Sequence, residues 1–130
     1  MLFRSGPEEA RLRVRQLKRA GVDLIKIYVS GGVLSVGDNP QAVLLTDDEI
    51  RAVVDTAHGL GMRVAAHAHG KEAIRRAVLL GVDSIEHGSY VDAEIFELMK
   101  AKGTFLVPTL MVASRLTRQA RLSQIGRAHV

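Results

Sequence analysis

The sequence predicts an α/β fold built on a parallel sheet, and three observations predict it. One unit recurs along the chain: an amphipathic helix-like run, a glycine, then a short apolar run. Its copies read RAGVDLIKIYV, GLGMRVAAHA, LLGVDSIEHG and AKGTFLVPTL, with the glycines at 21, 61, 81 and 103. A glycine just past a helix ends it in the left-handed conformation, and the β-branched apolar residues that follow suit a strand buried on both faces. The last three glycines recur at about 20-residue intervals, a spacing that suits tightly wound βα units with right-handed crossovers.

Each element has its own start signal. Ser5 with Pro7, Glu8 and Glu9 opens the first helix, and a strand follows at 23–29. The insertion GGVLSVGDNPQAVLL, residues 31–45, then lengthens the first interval to 40 residues. A long glycine-rich loop at the C-terminal end of a strand is where parallel α/β folds place function. Thr46-Asp47-Asp48-Glu49 reads as a capping box for the second helix. Gly70-Lys71-Glu72 and Asp92-Ala93-Glu94 begin the third and fourth, and residues 111–123 suit a fifth. Helices and strands therefore alternate throughout. Both a doubly wound sheet of flavodoxin-like shape and part of a (β/α)8 barrel fit this order.

Composition narrows the function classes. A chain of 130 residues, 47% hydrophobic and 25% charged, is expected to form one globular domain. It has no apolar run near the roughly 18 residues of a membrane span, and MLFRSGPEE lacks the apolar core of a secretory signal. The absence of cysteine excludes disulfides and thiolate metal sites, so any metal must be held by histidine, carboxylate or a modified side chain. These features lead to the expectation of a cytoplasmic protein with no membrane partner. The net charge of +4 comes largely from RLRVRQLKR at 11–19 and RLTRQARLSQIGR at 115–127. With aromatics at 4% and no nucleic-acid motif, these runs read as solvated helix faces, and no nucleic-acid partner is expected.

Counting from the glycines singles out three residues. Lys26 lies five after Gly21, His67 six after Gly61 and His87 six after Gly81. Each is a titratable group near the C-terminal end of an otherwise apolar strand, the pattern of a site at a common mouth. Each also has a structural alternative. Lys26 fits an edge-strand lysine reaching for water, His67 a hydrogen-bonded core histidine, and His87 a strand-end hydrogen bond. His69 precedes Gly70 and is expected in the turn, while His58, at an exposed helix end, and His129 are not site candidates.

IKIYVSGGVLSVGDNP, VAAHAHG, GVDSIEHGSYVD and LVPTL, in this order and spacing, resemble the metal-dependent amidohydrolases. The similarity is to the branch related to imidazolonepropionase and prolidase-like dipeptidases, and it covers roughly residues 5–115. Singly, HAHG or IEHG is a weak signal, and the ordered set is a strong one. The resemblance implies a partial TIM (β/α)8 barrel of about four consecutive parallel βα units. It implies one or two divalent metal ions, zinc foremost, and hydrolysis of an amide bond in a dipeptide or N-acyl amino acid by a metal-activated hydroxide. Lys26 then matches the lysine whose amine takes up CO2 and bridges two metals as a carbamate. His67 and His87 match the histidines that end the fifth and sixth barrel strands and ligate metal. A lysine takes up CO2 only as a neutral amine, which a dry interior favours. The resulting carbamate is a two-oxygen ligand for ions about 3.5 to 4 Å apart.

His69 and Tyr90 are softer carry-overs, expected to touch the substrate carbonyl or a terminal carboxylate. The Ser30-Gly31-Gly32 loop offers backbone N–H groups to an anionic part of the substrate, or is a plain glycine-rich turn. The family also needs an HxH pair on the first barrel strand and an aspartate ending the eighth, and neither is found in these residues. A barrel takes about 250 residues, so residues 1–124 are expected to be the central part of one, inactive in isolation, from a parent that forms homo-oligomers. IGRAHV at 125–130 resembles a translated sequencing-library adapter and is expected to be a non-native tail. The alternative reading is a non-catalytic flavodoxin-like module in which Lys26 and the Ser30-Gly31-Gly32 loop hold an anion.

Overall fold

The structure, a computed structural model, describes residues 6–32, 37, 39–111, 114, 115 and 118. Helices and strands alternate as α1 (Pro7–Arg19), β1 (Leu24–Tyr28), α2 (Asp47–Gly59), β2 (Arg63–Ala68), α3 (Lys71–Leu79), β3 (Ser84–His87), α4 (Ala93–Lys102) and β4 (Phe105–Val107). Most of the expected fifth helix and the whole adapter-like tail lie outside the described residues, as does Ser5.

Local chemistry sets the boundaries. Pro7 stands at the first helical positions of α1, where an N–H would have no partner, and Glu8 and Glu9 face the positive end of the helix dipole. The capping box at α2 is complete: Glu49 N donates to Thr46 Oγ1 at 3.3 Å, and Thr46 N donates to Glu49 Oε2 at 2.8 Å. Asp92 caps α4 by accepting from Ile95 N at 3.0 Å. Gly21, Gly61, Gly81 and Gly103 end the helices with φ of 86°, 71°, 96° and 71°, as the repeat predicts.

The strands form one parallel sheet in the order β1-β2-β3-β4. Spatial order follows chain order without a reversal, so the described residues contain no topological switch point. The flavodoxin-like alternative requires one and is thereby corrected. The sheet is a run of consecutive βα units of a (β/α)8 barrel.

The core lies on the helix side of this sheet. Ile25, Ile27, Val29, Val64, Ala66 and Ile85 pack with Val14, Ile50, Val53, Ile74, Val78, Ile95 and Met99 from the helices, all of them buried. Burying each isoleucine or valine contributes roughly 1.5–3 kcal/mol relative to exposure. The other face of β1 is open: Leu24, Lys26 and Tyr28 alternate with the buried residues and are exposed. The expectation of strands buried on both faces therefore fails for β1 and also for β4, where Phe105 is 67% exposed. Helices cover one face, and on β1 and β4 the interior face, which strands across a closed barrel would shield, stays accessible.

The cap gives a direct stability test. Thr46→Ala is expected to lower the unfolding free energy by about 1 kcal/mol, read as a lower urea midpoint with an unchanged slope. An unshifted midpoint would show that the capping box adds nothing to the fold.

Candidate functional site

The site is built by register. Lys26 pairs across the sheet with Ala65, and Tyr28 with His67. His67 in turn pairs with Glu86, and Ala68 with His87. Ladder partners in a parallel sheet share a face, because successive side chains alternate. Tyr28, His67, Glu86 and Val107 thus form one row on the open face, and Lys26, Ala65, Ser84 and Phe105 form the row beneath.

His87 is out of step with this row. Its partner, Ala68, is completely buried, so simple alternation would send the His87 ring away from His67. The backbone corrects this: His87 has φ 74° and Gly88 φ 61°. A left-handed conformation is uncommon outside glycine, though histidine is among the residues that tolerate it. The turn brings the His87 ring beside His67, with centroids 4.7 Å apart. His69, two residues past His67, lies 4.7 Å from it edge-on and 5.1 Å from His87 in a stacked arrangement. One ring nitrogen from each of the three histidines lies within 4.8 Å of the others.

Hydrogen bonds fix each ring. His69 Nδ1 lies 2.7 Å from Ser89 Oγ, and His87 Nδ1 lies 2.8 Å from Thr109 Oγ1. His67 Nε2 lies 3.3 Å from the Gly31 carbonyl, and the Tyr28 ring stands 4.8 Å from the His67 ring. His69 is therefore more than a turn residue. Its backbone N–H donates to Ser30 Oγ at 2.9 Å, and its side chain is buried with its neighbours. Ser30 is itself fully buried, and its N–H donates to His67 O at 3.4 Å. Both its hydroxyl and its amide are thus engaged with β2 and the turn after it.

The inserted loop folds back over this end of the sheet. Leu44 N donates to Val29 O at 2.8 Å, and Ser30 bridges to Val43. A Cβ on Gly31 would lie 2.4 Å from the Asn39 carbonyl oxygen, and one on Gly70 would lie 2.9 Å from Gln41 Cα. Both glycines are required by the closeness of this loop.

Lys26 lies in the lower row, half exposed, with Nζ 3.9 Å from Glu86 Oε2. Tyr90, also half exposed, follows on the loop after β3, and its N–H donates to His69 O at 3.1 Å. The structure thus brings His67, His69 and His87 together, with Lys26 one row below and Tyr90 on the rim. Sequence reasoning missed three members. Glu86 had a signal, an acidic residue inside a short apolar strand, whereas Ser89 and Thr109 had none beyond being polar and close to a strand end.

Electrostatics favours neutral rings. Burial first, then the charges that protonated His67 and His87 would carry, push the His69 pKa down to about 4. Burial and then the Lys26 cation lower that of His87, against a smaller opposing effect of Glu86. At neutral pH both rings are unprotonated bases, the form in which imidazole binds a metal or accepts a proton. The exposed ion pairs of Lys71 with Asp92 at 2.6 Å and Glu94 at 2.8 Å tie the start of α3 to that of α4 next to the site.

This architecture has known relatives. The Amidohydrolase family model matches residues 2–129, and the chain belongs to that family. Ochratoxinase of Aspergillus niger is 43% identical over 107 residues, covering 82% of this chain and 22% of that protein. A crystal structure of a Xaa-Pro dipeptidase with methionine bound in its active site superposes with a TM-score of 0.83 at 45% identity, covering 90% of this chain and 29% of that one. A prolidase complexed with N-methylphosphonate-L-proline gives a TM-score of 0.78 at 46% identity, over 82% of this chain and 26% of that one. The chain spans about a quarter of the length of these relatives. No helix among the described residues is long and apolar enough to cross a membrane.

The lowered His69 pKa carries a pH signature. Between the ordinary 6.5 and about 4, the unfolded chain binds a proton that folded His69 refuses, so stability rises with pH across this window. The melting temperature is expected to fall as pH is lowered from 6.5 to 4, and His69→Asn to flatten that slope. Equal slopes in the two proteins would remove His69 as the cause.

Proposed function

We propose that this segment supplies part of the metal centre of an amide-bond hydrolase, with His67, His87 and a carboxylated Lys26 as metal ligands. The observation that carries the reading is the convergence of three imidazoles at the C-terminal ends of adjacent strands in an amidohydrolase sheet. The donors fit a divalent ion. Imidazole nitrogen and carbamate oxygen form the borderline-soft set that suits zinc, and no thiolate is needed. Bound there, one or two zinc ions would polarise the substrate carbonyl and activate the attacking water.

The chain's own residues do the rest. Lys26 shares the open face with His67, the position from which a carbamate would bridge. Carboxylation consumes the neutral amine and so competes with the Glu86 ion pair. It is favoured where further strands dry this face. His69, held neutral by burial, contacts the substrate carbonyl. Tyr90, on the rim, meets a terminal carboxylate, and the Ser30-Gly31-Gly32 turn borders the same space. Relatives described as a Xaa-Pro dipeptidase and a prolidase support a dipeptide substrate, with N-acyl amino acids as the neighbouring class. Turnover belongs to a protein in which this segment is joined by the remaining strands. The 130-residue chain alone is expected to bind metal weakly and to turn over nothing. A cysteine-free composition supports a cytoplasmic setting.

The test uses a full-length enzyme carrying this segment, assayed on Xaa-Pro dipeptides and N-acyl amino acids. Chelation should abolish activity and zinc restore it. Lys26→Ala, His67→Ala and His87→Ala should each lower kcat/KM more than about 100-fold, since groups that merely orient metal ligands are already worth 10–100-fold. A carbamate signal from ¹³CO2-equilibrated protein should vanish in Lys26→Ala. Full activity in the presence of chelator would sink the proposal.

A further inference from the structure

Two residues outside glycine adopt left-handed backbone among the described residues, His87 at φ 74° and Thr109 at φ 50°. They lie 22 positions apart in sequence, His87 at the end of β3 and Thr109 two residues past the end of the adjacent β4, and their side chains meet, His87 Nδ1 to Thr109 Oγ1 at 2.8 Å. Left-handed backbone in a β-branched residue is an outlier, held only where surrounding structure determines it. The chain therefore sustains unfavourable backbone at both ends of a single hydrogen bond.

From this geometry we infer that Thr109 is a positioning residue: its hydroxyl accepts the His87 Nδ1–H, fixing the tautomer and rotation of that ring so that unprotonated Nε2 serves as the ligating atom. The inference rests on the metal-binding reading above. Imidazole has one proton to place, and the partner of one nitrogen decides the role of the other. Register alone would not bring His87 into the cluster, because its ladder partner Ala68 is buried away from the open row. The left-handed turn at His87 and Gly88 swings the ring across, and a Cβ on Gly88 would lie 2.6 Å from Leu106 Cδ1, so the turn is wedged against β4. Thr109, three residues after Leu106, then holds the ring at Nδ1. Ser89 stands in the same relation to His69 Nδ1, at 2.7 Å.

The experiment reads the tautomer apart from the metal. A full-length enzyme carrying this segment, labelled with ¹⁵N and free of metal, is examined by long-range ¹H–¹⁵N correlation, and zinc affinity is measured by competition with a chromophoric chelator. His87 should be Nδ1-protonated in the wild type and in Thr109→Ser. Thr109→Val should lose that preference and bind zinc 10–100-fold more weakly. An Nε2-protonated His87 in the wild type would overturn the inference, as would wild-type zinc affinity in Thr109→Val. Equal weakening in Thr109→Ser would overturn it too, since the hydroxyl would then not be what acts. If circular dichroism shows Thr109→Val unfolded, the wild-type tautomer and Thr109→Ser decide. A locked tautomer in a chain that binds no zinc would uphold the positioning role and defeat the metal reading.

Discussion

The arrangement of the site depends on the register between β2 and β3. His67 faces Glu86 across the ladder, and His87 faces Ala68. Side chains alternate along a strand with period two, so a one-residue offset decides whether a ring points to the open interior or into the helix layer. His87 is on the wrong side of that division, and the molecule recovers it by leaving regular β geometry with two successive positive φ angles. The left-handed turn, its wedge against Leu106 and the hydrogen bond to Thr109 all follow from this offset.

A second constraint is electrostatic. Three imidazoles with one ring nitrogen each within 4.8 Å of the others cannot all protonate without mutual repulsion, and burial of His69 and His87 adds a desolvation cost in the same direction. Within the cluster, His69 and His87 are neutral bases at physiological pH. The charges sit one step away: Lys26 in the row beneath and Glu86 beside His67, paired at 3.9 Å. The histidine rings are thus flanked by a charged pair, one member level with His67 and the other a row beneath. Lys26 is the side chain that the proposed carboxylation would turn from cationic to anionic.

The loop and its glycines complete the mouth. Residues from Asn39 to Leu44 return to the end of β1 and approach so closely that neither position 31 nor position 70 has room for a side chain. Gly31 also turns its carbonyl to His67 at 3.3 Å. Gly70, read from sequence as a helix start, is thus also a packing requirement. One insertion both covers the strand ends and constrains the backbone on either side of the histidines.

Much of the fold was legible because it is written in local chemistry. Helix termini at Thr46, Asp92 and the left-handed glycines need only a few neighbouring residues to be recognised, and the repeat of helix, glycine and strand implied a parallel sheet. His67 and His87 could be picked out as polar groups ending apolar runs. Equal counting from the glycines suggested that they stand level, which they do not, because paired strands are staggered and register belongs to two segments at once. The open face of β1, the Lys26–Glu86 pair and the burial of His69 depend on which helices and strands lie against which. Ser89 and Thr109 carried no signal, since a hydroxyl becomes a ring's partner only through its place in space. The sequence by itself determined the elements, their parallel order and the side chains available for chemistry. Tertiary structure decided which of those side chains face one another, because that choice rests on stagger and backbone turns between segments distant in the chain.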